Sequence, residues 1–236
     1  MSLHESLAVF AALAADLQQQ EADEAAAARA VVDRMRELVP EAGHVGLVLR
    51  SSRGSLTSRA GTDPLAEELD VLQAELGQGP AVVVLDDPTW LRSGDVADDV
   101  RWSSWGATAA ERGVGSVLAV SVDERDDPVG AITLYATERG AFGDREVVDR
   151  ARLYAVHAAT ALAAARRASS LRAAVDSRHV IGMAQGIAME RFGIDQQQSF
   201  ELLRRLSSTS NVKLREVAVQ VVETREFPLE QARSDD

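Results

Sequence analysis

Apolar residues follow two different rhythms along this chain, and the switches between them mark its elements. Residues 3–38 are rich in Leu and Ala and are interrupted only by the polar stretch from Gln18 to Glu24, a pattern that predicts two helices ending at Pro40. The run His44-Val-Gly-Leu-Val-Leu-Arg50 and residues 55–60 read as paired strands turning at Arg53-Gly54. Asp63-Pro64 opens a helix, because Asp accepts hydrogen bonds from the freed N–H groups of a first turn and Pro has none to lose there. Leu65, Leu69, Leu72 and Leu76 carry that helix to Gly77, and residues 82–85 predict a short buried strand that ends at Asp86-Asp87-Pro88. A helix over 102–112 and two apolar strands, 117–122 and 129–136, on either side of the acidic turn 123–127 complete an α+β arrangement: an antiparallel sheet flanked by helices.

From Asp144 onward the helical pattern meets neither proline nor glycine until Gly182 and extends toward Phe192. Val147, Ala151, Tyr154, Ala158, Ala161, Ala165 and Ala168 follow alternating steps of four and three, the seam of a possible coiled coil, and Leu171 and Val175 resume it after a slip in register. Up to about residue 163 the seam reads equally as the cover of a sheet in its own domain. Over 166–180 it predicts contact with a second copy in a parallel dimer. Helices over 195–206, begun by Asp195, and over 214–226 follow, and Pro228 opens a polar tail.

Charge and chemistry narrow the function. The chain carries a net charge of −12, yet residues 171–226 hold eight basic against seven acidic side chains, so a polyanion would meet this C-terminal quarter. Cysteine is absent, which excludes disulfides, thiolate metal sites and thiol chemistry. The four histidines lack metal-ligand spacing, and no P-loop, nucleophile elbow or paired-carboxylate motif is present, so neither an enzyme nor a cofactor is expected. Asp86 and Asp87 read as a turn and cap, since the chain's one lysine is Lys213. No stretch has the form of a signal peptide or the roughly 20 apolar residues of a membrane span, which predicts a cytoplasmic location.

The segment Ser177-Arg-His-Val-Ile-Gly-Met-Ala-Gln-Gly-Ile-Ala-Met-Glu-Arg-Phe-Gly193 resembles the first helix of ANTAR domains. Ser199-Phe200, Leu203-Arg204, Ser207, Asn211-Val-Lys213-Leu214, Ala218, Val221 and Val222 extend the resemblance in order. It implies a small three-helix RNA binder that, as a homodimer, recognises paired hairpins in nascent transcripts and prevents termination. Upstream, Leu76-Gly-Gln-Gly-Pro80, Asp98-Asp-Val-Arg-Trp102, Glu111-Arg-Gly-Val-Gly-Ser-Val-Leu118, Gly130-Ala-Ile-Thr-Leu-Tyr135 and Ala141-Phe142 are similar to GAF domains, which implies a sensor for an unidentified small-molecule or protein signal. The chain departs from common members at Ala81, where relatives often have Cys, at Gln185, where many place Lys, and at Ser199, where Ala is frequent. The expected organisation is an N-terminal helix over 1–24, a sensor domain over 25–165, a helical linker over 166–176, an RNA-binding domain over 177–226 and a tail over 227–236.

Hairpin loops present unstacked bases to aromatic and polar side chains while cations hold the backbone. The candidate RNA-binding residues are Gln185, Arg191, Phe200, Arg204, Arg205, Ser208, Asn211, Lys213 and Arg215. Arg204 and Arg205 point about 100° apart on a helix, so only one is central to a single face. Asn211, Lys213 and Arg215 surround the turn into the last helix, where freed N–H groups also attract phosphate. Phe200 shares spacing with Leu203 and reads as core ahead of stacking platform, and each arginine alone also reads as solvated surface. Gly182 and Gly186 have the spacing that lets a neighbouring helix or RNA approach closely. In the sensor, Trp90, Trp102, Trp105 and Tyr135 are candidates for a ligand pocket, the tryptophans at its mouth. Two rivals stand beside the RNA-binding expectation: a DNA-binding regulator, opposed by the apolar content of residues 214–222, and a sensor acting through protein partners.

Overall fold

The computed structural model describes residues 23–51, 54–87, 89–124 and 127–227. The expected first helix and the polar tail lie outside the described residues. Two compact units are present, dividing between Ala168 and Ser169.

The first unit opens with α1 (Glu24–Leu38), begun where the Asp23 carboxylate accepts from Ala25 N–H. It continues through β1 (His44–Arg50), β2 (Leu56–Gly61) and α2 (Pro64–Leu76), whose start is set by Asp63 and whose end is a left-handed Gly77. Next comes α3 (Pro80–Asp86), which corrects the strand expected over 82–85. Four apolar residues carry no period by themselves; Pro80 in the first turn and Ala81 N–H held by Gln73 Oε1 decide for a helix. The strand this part of the chain does supply is β3 (Trp90–Ser93), which the sequence pattern did not signal. A single 3₁₀ turn at Val100–Trp102 leads into α4 (Ser103–Glu111), and the hairpin β4 (Ser116–Glu124) and β5 (Asp127–Ala136) follows.

The five strands form one antiparallel sheet in the order β2-β1-β5-β4-β3. Because side chains alternate across a strand, β5 sends Ile132, Leu134 and Ala136 to one face and Ala131 and Tyr135 to the other, and each face builds its own core. On one face lie α1 and the first part of α5 (Arg145–Phe192), joined where Tyr154 donates its hydroxyl to the Val31 carbonyl. On the other lie α2, α3 and α4. Val147, Ala151, Tyr154, Ala158 and Ala165 all belong to the first core, so this part of the seam covers its own sheet. Leu171 and Val175 differ: they are 68% and 58% exposed.

The second unit contains the rest of α5 with α6 (Gln196–Ser210) and α7 (Leu214–Thr224). Asp195 and Gln198 form a reciprocal capping box at the start of α6, and left-handed Asn211 ends it. Ala184 and Ala188 from α5, Leu203 and Leu206 from α6, Val217, Ala218 and Val221 from α7, and Phe227 beyond it make a small core. At about 1.5–3 kcal/mol for each large apolar side chain buried, so few residues leave little margin.

Candidate RNA interface and sensor core

The second unit divides the RNA-binding candidates into two groups. Gln185 and Arg191 are occupied with internal structure. Gln185 Nε2 donates to the Gln196 carbonyl at 3.0 Å and reaches Ser199 Oγ at 3.4 Å, fixing the first turn of α6 against α5. Arg191 Nη1 donates to the Arg225 carbonyl at 2.7 Å, holding the left-handed residue that ends α7. The departures at positions 185 and 199 therefore touch one another, an amide meeting a hydroxyl.

The other group is outward. Phe200 is 39% exposed, because Ser199 and Leu203 take the inward positions beside it. Phe200, Arg204 and Ser208 follow at steps of four along α6, one stripe that runs to exposed Asn211. Arg204 donates to Glu201 at 2.7 Å, an exposed pair of the kind that contributes little and exchanges readily. Arg205 is exposed a quarter-turn away. Lys213 precedes α7 without capping it by its side chain, and Arg215 is exposed in the first turn. Gly182 and Gly186 face away from the core: a Cβ added to either would meet nothing among the described residues within 4 Å.

The sensor candidates also separate. Trp90 and Leu91 point to opposite faces of β3, which puts half-buried Trp90 against the core of α1 and α5, with the Arg152 guanidinium 5.9 Å over its ring. Trp102, Trp105 and Tyr135 lie in the other core, fully buried, so the two tryptophans expected at a pocket mouth are interior. Their rings form a chain, Trp102 to Trp105 edge-on at 6.0 Å and Trp105 to Tyr135 tilted at 6.3 Å. Arg101 covers one face of Trp102 at 4.3 Å, and Trp105 Nε1 donates to the Leu69 carbonyl.

Among these rings sits a carboxyl group. Asp70 is fully buried; Oδ1 accepts from the Tyr135 hydroxyl at 2.6 Å and lies 3.4 Å from Gln73 Nε2, and Oδ2 has no hydrogen-bond partner among the described residues. Burial pushes its pKa up to about 8, and the same burial, with Asp70 beside it, raises the Tyr135 phenol well above its ordinary value. Trp102 Nε1 is likewise buried without a hydrogen-bond partner among the described residues, and each such group costs about 1–3 kcal/mol.

Residues 21–163 match the GAF domain family, and residues 169–222 match the ANTAR domain family. The chain belongs to the GAF domain family and carries an ANTAR domain behind it. No curated protein matches the chain. Among solved structures, the GAF domain of an Acinetobacter phosphoenolpyruvate-protein phosphotransferase is similar at 12% identity and a TM-score of 0.55, covering 72% of this chain and 99% of its own. The corresponding domain from Coxiella burnetii is similar at 16% identity and a TM-score of 0.55, covering 70% and 96%. At such identities the likeness is one of fold.

Within the GAF domain, the sequence reading missed Asp70, Gln73, Thr133 and Gly46. The strand registers align Gly46, Thr133 and Ala119 in one row across β1, β5 and β4. The Asp70 carboxyl rests on the bare backbone of Gly46, where a Cβ would lie 2.2 Å from Oδ2. The available signal was Asp70 and Gln73 three residues apart, a spacing that puts both on one helix face.

Proposed function

We propose that this chain is a dimeric, cytoplasmic regulator of transcription antitermination, in which the GAF domain receives a signal and the ANTAR domain binds hairpins in nascent transcripts. The ANTAR match over residues 169–222 carries this reading. The stripe of Phe200, Arg204 and Ser208 leading to Asn211 and Lys213 supports it with an exposed aromatic ring for a splayed base and cations for the backbone. Arg205 and Arg215 flank the stripe and add charge. Gln185 and Arg191 support the interface by shaping it rather than by contact.

A second copy is the natural cover for exposed Leu171 and Val175 and for the open face at Gly182 and Gly186, which share one side of α5 opposite Ala184 and Ala188. A DNA-reading helix is disfavoured, since α7 gives Val217, Ala218 and Val221 to the core. Titration with a two-hairpin RNA and with duplex DNA of equal length, at several salt concentrations, tests the proposal. RNA should bind more tightly, and Arg204→Ala with Lys213→Ala should weaken it and lower the salt slope by about two. Equal affinity for RNA and DNA would remove the RNA reading, and failure of the full chain to bind either would favour a sensor acting through protein partners.

A further inference from the structure

A buried chain of polar groups runs through the core that α2, α3 and α4 share with the GAF sheet. Asp70 Oδ1 accepts from the Tyr135 hydroxyl, Tyr135 accepts in turn from Gln73 Nε2 at 3.0 Å, and Gln73 Oε1 accepts from the Ala81 N–H at 2.7 Å. One carboxyl group is thereby linked to the first turn of α3. Apart from Ala81, Val84 and Leu85 in the core, little fixes that helix: it is seven residues long, no side chain caps its start, and its last residue, Asp86, pairs with Arg50 while 75% exposed. Gly77 and Gly79, both at positive φ, connect it to α2, and an open groove of about 400 Å³, lined in part by Leu56, Ala74 and Val82, borders it.

The charges around Asp70 leave it without a counter-ion. Its titratable neighbours are Glu67 on its own helix and the Tyr135 phenol on β5. β1 brings Gly46 against it, and α3 and α4 give the core only uncharged groups, among them Leu85 and Trp105. The charged side chains of these elements are taken up outside the core: Arg50 with Asp86, His44 with Asp63 and Arg112 with Glu68, while Arg59 of β2 is exposed. A carboxylate formed here is relieved only by water.

We propose that this chain of groups is a proton-operated latch: with Asp70 protonated α3 stays seated on the sheet, and loss of the proton frees α3 to swing about Gly77 and Gly79 and admit water to the carboxylate. The device belongs to the GAF core itself and stands whether or not the ANTAR unit binds RNA. Burial, with Glu67 adding to it, pushes the pKa of the closed carboxyl up to about 8, whereas a hydrated aspartate ionises near its ordinary value of about 3.9. Between those values the closed form holds a proton that the open form has released. The ratio of open to closed therefore rises about tenfold per pH unit and levels off above 8.

Amide hydrogen exchange of the full chain, followed from pH 5.5 to 7.5 and corrected for the intrinsic rate, tests the latch. The reporters are the Ala81 N–H, held by Gln73, and the Val83 N–H, which donates to the Gly79 carbonyl. Their protection should fall about tenfold per pH unit and should lie below that of the β4 and β5 amides throughout. Asp70→Asn keeps the shape of the neutral acid and cannot ionise, so in this variant protection of both amides should no longer change with pH. Protection in the parent that is independent of pH, exchange of Ala81 and Val83 in step with β5 at every pH, or an unaltered pH dependence in folded Asp70→Asn would each overturn the proposal. The first two comparisons need no variant, so they decide even if Asp70→Asn does not fold.

Discussion

Phe227 stacks edge-on against Phe192 at 4.9 Å between ring centroids, tying the chain beyond α7 to the last turn of α5. Phe227 is 1% exposed and belongs to the small core of the ANTAR unit, whereas Phe192 is 42% exposed. Arg191 reinforces the closure through the Arg225 carbonyl. Phe227→Ala should therefore destabilise this unit by about 3–5 kcal/mol, enough to unfold so small a core. Loss of helical circular dichroism from residues 169–227 expressed alone would report it, and an unchanged melting curve would show that the stack contributes nothing.

Asp70 makes the stability of the GAF domain depend on pH in an unusual direction. Its folded pKa, near 8, lies far above the ordinary aspartate value of about 3.9, so between those values the folded state holds a proton that the unfolded state has released. Stability contributed by the neutral carboxyl is present in full below about pH 4 and falls as pH rises toward 8, with a limiting slope of about 1.4 kcal/mol per unit. Asp70→Asn removes the slope, so the variant should gain on the parent as pH rises from 5 to 8. Urea unfolding at several pH values measures this, and parallel curves for both proteins would contradict it.

Gly182 and Gly186 separate intrinsic helix stability from self-association. Alanine at either position meets no atom of the described residues within 4 Å and should stabilise the helix by about 1 kcal/mol. If the open face receives a second copy, the added methyl groups should at the same time weaken the dimer. Thermal melts and sedimentation equilibrium of Gly182→Ala/Gly186→Ala should show the two effects with opposite sign; an unaltered dimer would place the contact elsewhere.

Asp195 holds the first turn of α6 through Gln198 N–H at 2.8 Å, and Gln198 returns a bond to the Asp195 N–H. Asp195→Ala should cost about 1 kcal/mol and loosen the turn on which Phe200 is carried. Amide exchange over residues 196–200 should quicken in the variant, with little change in α7.

The sequence by itself determined the features whose physics is local. Asp63 and Gly77 bound α2, Asp195 begins α6, and the alternation of β1, β4 and β5 sets which residues face each core, because capping and side-chain alternation depend on residues only a few positions apart. The motifs of both domains were legible for the same reason. Tertiary structure alone decided the rest. Residues 80–86 are helical because Gln73, eight residues earlier on α2, reaches the Ala81 N–H. Phe200 points outward although Leu203 points in, since the core of three short helices is narrow and Ser199 fills the place. The buried stripe of α2 contains Asp70 and Gln73 while Leu76 is 41% exposed, a choice that no polarity pattern predicts. A glycine on a distant strand and a tyrosine on another make room for that carboxyl, and such complementarity between remote segments comes into being only when the chain folds.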